Sequence, residues 1–176
     1  MIPTYNIELA SGNDREQRTR SQLERLVAQH DLRPWSFTDR VIIQSGVIPH
    51  SHPILTLNTR HLGQDDLLLA TFLHEQIHWF AVDHFEAVQA AVAELQILYP
   101  SVPVGYPEGG ENLQSSYLHL MISWLEHDAL RRLLGAERAR KVIEHWCSDH
   151  YTWVYRQVLD NGEAIAEVLH RHGLII

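Results

Sequence analysis

The sequence predicts an α+β fold in which a small N-terminal sheet is followed by a mainly helical part. Two runs rich in β-branched residues, at 39–46 and 54–59, are bounded by Gly, Pro and Asn and are typical of strands. From residue 65 onward, apolar residues recur almost wholly at helical spacing. No repeat or low-complexity tract interrupts the chain. We therefore predict a single domain, 1–176, with a strand and helix part at 1–64 and a helical part at 65–176.

The first part also contains a further strand and one helix. The run YNIEL at 5–9 is interpreted as a short strand. The segment 14–30 carries Leu23, Leu26 and Val27 at helical spacing among charged residues, which is typical of an amphipathic helix. Together with the two β-branched runs, these elements predict a sheet that accompanies one helix.

The helical part begins with two predicted helices. The first runs over about 65–82 and can be capped by Asp65 or Asp66. The sequence DHFE at 83–86 has the spacing of a capping box, with an acidic cap and a glutamate three residues later. It predicts a second helix over about 84–98, which ends before a proline.

A long loop and further helices complete the chain. The loop at 99–112 holds three of the seven prolines and three of the nine glycines, and loops of this kind often border sites. A long helix at 113–134 is stopped by Gly135, and another is predicted at 136–159. The Asn161–Gly162 pair then predicts a break before a short last helix.

Composition and charge exclude several classes of function. A formal net charge of -8 disfavours nucleic acid or an anionic membrane as a partner. No run of about eighteen apolar residues occurs, and the first twenty residues lack the basic start and apolar run of a secretory signal. The single cysteine, Cys147, allows neither an internal disulfide nor a cysteine-based zinc cluster. These features predict a cytoplasmic protein.

The strongest functional signal is the sequence HEQIH at 74–78, inside an apolar helix. His74 and His78 stand four residues apart, so on a helix both imidazoles project from one face toward one point. Glu75 lies next to that face. In H-E-x-x-H helices the two histidines bind Zn²⁺, and the glutamate accepts a proton from the water that the ion activates. Polar groups in an apolar helix are costly to bury without partners, so we predict a bound zinc ion.

This helix resembles the active-site helix of the zincin metallopeptidases. Zincins place a small twisted sheet before that helix, with an edge strand lining the substrate cleft, and the run at 54–59 occupies the corresponding place. As an architecture the resemblance covers roughly residues 37–130, and as a motif it covers five positions. It implies a zincin-like fold and a zinc-dependent peptidase or amidase.

The resemblance also implies a third metal ligand, for which three residues are candidates. His84 stands where the metzincin pattern places its third histidine, but Ala81 replaces the glycine that reverses the chain there. The gluzincin type, which uses a glutamate of the next long helix, is therefore the closer match. Glu126 suits that role by position.

The third candidate is His119, two helical turns before Glu126 and on the same side of the predicted helix. The two residues are about 10 Å apart along the helix axis, so one ion does not take both directly. We predict that one of them binds the metal and that the other binds substrate or orients a ligand. Glu126 is preferred, and His119 remains the alternative.

A hydrolase of this type also needs a donor for the oxyanion that develops on the attacked carbonyl. By analogy with gluzincins, His150 and Tyr151 are the candidate catalytic donors, with Tyr155 on the same predicted helix. The alternative is an aromatic packing face that includes Trp146 and Trp153.

The predicted function is that of a zinc metallopeptidase or amidase with Glu75 as general base. Its substrate is expected to be a peptide or a small amide. Two alternatives remain open: iron bound by two histidines and a carboxylate, and a non-catalytic protein whose metal holds helices together. His50 and His52, which lie between prolines, are interpreted as part of a solvent-exposed turn.

Overall fold

The computed structural model describes residues 4–176, and the first three residues of the predicted domain lie outside the described part. Within residues 4–176, three strands and six α-helices follow one another. They are β1 (Asn6–Leu9), α1 (Asp14–Gln29), β2 (Arg40–Ile43), β3 (Leu55–Leu57), α2 (Asp65–Asp83), α3 (Phe85–Leu98), α4 (Leu113–Leu134), α5 (Ala136–Trp146) and α6 (Thr152–Arg171). The α+β class is confirmed. Contacts divide the chain into two compact units, up to Phe80 and Ala81–Ile176.

The first unit is built on a three-stranded sheet in the order β1-β2-β3, with both pairs parallel. The amphipathic helix α1 packs on β1 and β2. Its apolar stripe, Leu23, Leu26 and Val27, is buried as the spacing predicts. Asn13 caps its first turn by accepting a hydrogen bond from the Glu16 amide at 3.0 Å. Most of α2 also belongs to this unit.

The start of α2 differs slightly from prediction. Asp65 is the first helical residue and not the cap. Its carboxylate instead binds the Arg25 guanidinium through two hydrogen bonds, at 2.6 and 2.8 Å, and also accepts one from the Gln22 amide at 3.0 Å. These contacts join the N-terminus of α2 to α1.

The second unit is helical, and α4 packs against α3, α5 and α6. Its core is formed by apolar side chains of these helices, including Leu120, Leu125, Ile143, Val158 and Leu169. In residues 4–176 no helix combines the length and the apolar character needed to cross a bilayer.

The predicted capping box at 83–86 is wrong. Asp83 is the last residue of α2, and His84 occupies the cap position of α3 without a capping side-chain hydrogen bond. The two helices therefore follow each other almost without a connection, which leaves no room for an acidic cap.

The predicted helix at 136–159 is also wrong. The chain leaves the helix after Trp146 and starts α6 at Thr152. The predicted break at the Asn161–Gly162 pair is confirmed: Asn161 has non-helical φ -130° and ψ 23°, so α6 consists of two helical pieces joined by a kink there. A continuous helix would point Trp146 and Tyr155, about two and a half turns apart, to opposite sides. The break lets both side chains reach the same carboxylate of α4.

Candidate metal centre

Helix α2 carries the H-E-x-x-H residues in its middle. The His74 and His78 rings lie side by side, with centroids 5.1 Å apart. His74 is 8% exposed and Glu75 is 6% exposed, while His78 is half-buried. The four-residue spacing thus places both imidazoles together on one face, as predicted from the helical repeat.

The rotation of this helix is fixed by Gln76, a residue that sequence reasoning missed. Its side-chain oxygen accepts hydrogen bonds from the amides of Phe37 and Thr38, at 2.8 and 3.0 Å. Its amide nitrogen donates to the Thr38 carbonyl at 2.8 Å. A fully buried glutamine inside a helix needs such hydrogen-bond partners. The signal in the sequence was the position of this glutamine between Glu75 and Ile77 in a largely apolar helix.

His119 lies on α4 and is 6% exposed. Its Nδ1 is 2.7 Å from the Ser115 carbonyl oxygen, one helical turn earlier. Because a carbonyl only accepts, Nδ1 carries the proton, and Nε2 is the nitrogen with a lone pair for a metal. This type of hydrogen bond commonly fixes the orientation of metal-binding histidines.

The side chains of His74, His78 and His119 form a group whose candidate ligand atoms all lie within 4.8 Å of one another. Around a tetrahedral zinc ion with Zn–N distances of 2.0–2.1 Å, ligand nitrogens are about 3.3 Å apart. Imidazole is a common zinc ligand, and three histidines would leave the fourth position of a catalytic site for water or substrate.

Glu126 lies on the same helix as His119 and is 1% exposed. One carboxylate oxygen accepts a hydrogen bond from the Trp146 indole at 3.0 Å, and the other accepts one from the Tyr155 hydroxyl at 2.7 Å. Burial, together with the nearby Glu126 charge, raises the pKa of Tyr155 well above its ordinary value, so the phenol remains a donor. Glu126 does not belong to the three-histidine group. Its assignment as a ligand stays a prediction.

The two candidate oxyanion donors precede α6. The His150 Nδ1 is 2.8 Å from a carboxylate oxygen of Asp149, and its ring packs against Trp146 and Tyr155. Tyr151 stacks on the His119 ring with centroids 4.1 Å apart. Both the aromatic packing and the proximity to a histidine of the group are therefore present. The catalytic roles of His150 and Tyr151 stay predictions.

The remaining histidines singled out in the sequence lie at the surface. His84 is exposed at the junction of α2 and α3 and is not part of the three-histidine group. His50 and His52 are exposed. The His52 ring stacks on Trp79 of α2 with centroids 4.2 Å apart, and the Trp79 indole donates to the Ser51 carbonyl at 2.9 Å. The turn is thus anchored next to the H-E-x-x-H residues.

Comparison with protein families, with curated proteins and with solved structures finds no match to this chain. The function is therefore inferred from the side chains of the candidate centre.

Proposed function

We propose that the protein is a zinc-dependent hydrolase that cleaves a small amide or a short peptide. The observation that carries the proposal is the H-E-x-x-H sequence on a buried helix, with a third imidazole in the same group. Imidazole nitrogens are common ligands of zinc, and three of them in one group suit a single bound ion.

We take His119, and not Glu126, as the third ligand. The His119 Nδ1 makes a hydrogen bond to a backbone carbonyl. A metal would therefore be bound by the other ring nitrogen, Nε2. Both Glu126 oxygens accept hydrogen bonds from side chains of α5 and α6. A set of three protein ligands is typical of catalytic zinc sites, because structural sites are closed by four.

In this proposal Glu75 is the general base. A bound zinc ion lowers the pKa of water to about 7 and polarises a carbonyl group. Glu75 adjoins His74 in sequence and is not one of the three grouped histidines, which suits a base that acts beside the metal and does not bind it. It accepts the proton of the attacking water and returns it to the nitrogen of the leaving amine. His150 and Tyr151 are the candidate donors to the carbonyl oxygen.

The hydrogen bonds at the β3 edge of the sheet favour a small substrate over a long extended peptide. An extended peptide binds most simply by adding a strand to a free edge. Here the Thr56 amide donates to the His50 carbonyl at 2.8 Å, and the His50 amide donates back at 3.1 Å. The Asn58 side chain also donates to the Val47 carbonyl at 2.9 Å. The chain itself therefore pairs with this edge over 47–50, and an added peptide strand would have to displace it.

The test begins with the metal content of the purified full chain, in which we expect about one zinc per chain. Glu75→Gln should keep the zinc and lose hydrolysis of fluorogenic amides or short peptides that the native protein cleaves. Glu86→Gln, on the exposed start of α3, is the matched control and should keep both properties. A protein that takes up no zinc on titration would contradict the proposal. Loss of zinc from Glu75→Gln would make Glu75 a ligand and remove it as the base.

A further inference from the structure

Tyr151 has a backbone conformation that its residue type rarely adopts. It immediately precedes α6 with φ 47° and ψ 38°, in the left-handed region. Every other positive φ recorded within residues 4–176 belongs to a glycine. A β-carbon makes this region costly, and glycine or asparagine normally occupies it. A tyrosine at this position calls for a reason other than local backbone preference.

Helix capping does not provide that reason. Residues that cap a helix start are usually Ser, Thr, Asp or Asn in an extended conformation, and Tyr151 makes no capping side-chain hydrogen bond. The first amides of α6 have other acceptors. Thr152 donates to the Pro107 carbonyl at 2.8 Å, and Trp153 donates to the Glu108 carbonyl at 3.3 Å. The start of the helix is thus satisfied without the tyrosine side chain.

The ring of Tyr151 does have a specific neighbour, the imidazole of His119. The two planes are inclined by 24° with centroids 4.1 Å apart, which is a stacked arrangement. The His119 ring is therefore held at its edge by the hydrogen bond from Nδ1 to the Ser115 carbonyl and on one face by the tyrosine. These two contacts restrict the rotation of the imidazole about its bond to the β-carbon.

We propose that Tyr151 is a positioning residue, whose ring holds the His119 imidazole in the orientation required for metal binding. The left-handed backbone is the conformation that brings the ring there. The inference rests on the proposed function, in which His119 is a ligand. A ligand that is already oriented loses less freedom when the ion binds, so the stack raises metal affinity. This role uses the aromatic ring and does not require the hydroxyl group.

The experiment measures Zn²⁺ affinity of the full chain by competition with a chromophoric chelator, and the visible absorption of the Co²⁺-loaded protein. Tyr151→Phe keeps the ring, while Tyr151→Gly removes it and suits the left-handed backbone. Tyr151→Asn, which also tolerates this conformation, is a second variant without the ring. Trp153→Ala is the matched control, because it removes a half-buried ring near the start of α6 that packs on Tyr99.

We expect Tyr151→Phe and Trp153→Ala to keep the native Zn²⁺ affinity and Co²⁺ spectrum. Tyr151→Gly and Tyr151→Asn should bind Zn²⁺ about 10-fold more weakly, with shifted Co²⁺ bands. Native affinity in both variants without the ring, or an equal loss in Tyr151→Phe or Trp153→Ala, would overturn the inference. His119→Ala distinguishes a failure of the proposed ligand set from a failure of the positioning role of Tyr151. If it retains native affinity, the proposed ligand set fails as well; if it loses affinity while Tyr151→Gly does not, only the positioning role fails.

Discussion

The Tyr155 hydroxyl donates to a carboxylate oxygen of Glu126 at 2.7 Å, and both residues are buried at 1% exposure. The Trp146 indole donates to the second oxygen at 3.0 Å. One carboxylate thereby joins α4 to α5 and α6. This arrangement explains how a glutamate can be buried in the second unit, and it makes the structural and metal-binding roles of Glu126 separable by mutation.

Glu126→Gln should retain zinc. The glutamine oxygen can accept from the Trp146 indole, and its amide nitrogen can donate to Tyr155, so both contacts can persist without the charge. Glu126→Leu leaves the indole and the phenol without this acceptor, and should lower the free energy of unfolding by about 2–4 kcal/mol. Zinc titration and urea unfolding measure the two effects.

We expect His119→Ala to lower zinc affinity by more than about 100-fold, beyond the usual loss for residues that only orient a ligand. A larger loss in Glu126→Gln than in His119→Ala would restore Glu126 as the third ligand.

Zinc should stabilise the native protein against heat, because an ion that binds only the folded state shifts the unfolding equilibrium. At free zinc 100 times the dissociation constant, the gain is about 2.7 kcal/mol. We expect the melting temperature to rise with zinc in the native chain and to fall back on addition of a chelator. His78→Ala should abolish this response, whereas His84→Ala, at an exposed position outside the group, should keep it. A lost response in His84→Ala would bring the metzincin arrangement back into consideration.

The sequence was sufficient to predict the elements whose signals are local. The stop at Gly135 illustrates this, because the chain there adopts φ 83°, which glycine tolerates best. The spacing of His74 and His78 likewise predicts two adjacent rings on a helix, and the structure places them 5.1 Å apart. In both cases the information lies within a few residues of the chain.

What the sequence could not supply was the long-range arrangement. The break between α5 and α6 contains neither Gly nor Pro, and it follows from the packing of Trp146 and Tyr155 around Glu126. Local spacing cannot report such a convergence of three helices. For the same reason it could not decide between His119 and Glu126, which share one side of α4. The hydrogen-bond partners of each residue carry that distinction.

Gln76→Leu should destabilise the first unit. The glutamine side chain makes three hydrogen bonds to the backbone of Phe37 and Thr38. Leucine has nearly the same volume but leaves these partly buried amides and the carbonyl without that partner. We expect a loss of about 2–4 kcal/mol in the free energy of unfolding, measured by urea denaturation. Gln96→Leu, at an exposed site of α3, is the control and should change stability by less than about 0.5 kcal/mol. Equal losses of unfolding free energy in Gln76→Leu and Gln96→Leu would show that the three hydrogen bonds do not stabilise the first unit.

Glu16 links the ends of two strands through its carboxylate. It accepts hydrogen bonds from the amides of Ser11 and Gly12 after β1, at 2.9 and 2.8 Å, and from the Ser45 amide after β2, at 3.0 Å. The Ser45 hydrogen bond is the largest cause that lowers the pKa of Glu16 from 4.5 to about 2. The folded state therefore favours the ionised carboxylate.

This shift fixes the sign of a pH dependence. Because the folded-state pKa lies below the ordinary value of 4.5, the stabilisation is fully present above pH 4.5 and is lost as the pH falls toward 2. Glu16→Gln should unfold at lower urea than the native chain at pH 7, and the gap should narrow steadily from pH 4.5 to pH 2.5. Glu8→Gln, an exposed change on β1, should follow the native curve throughout. A gap between the native chain and Glu16→Gln that stays constant over this range would contradict the assignment, because it would mean that ionisation of Glu16 is not what joins the two strand ends.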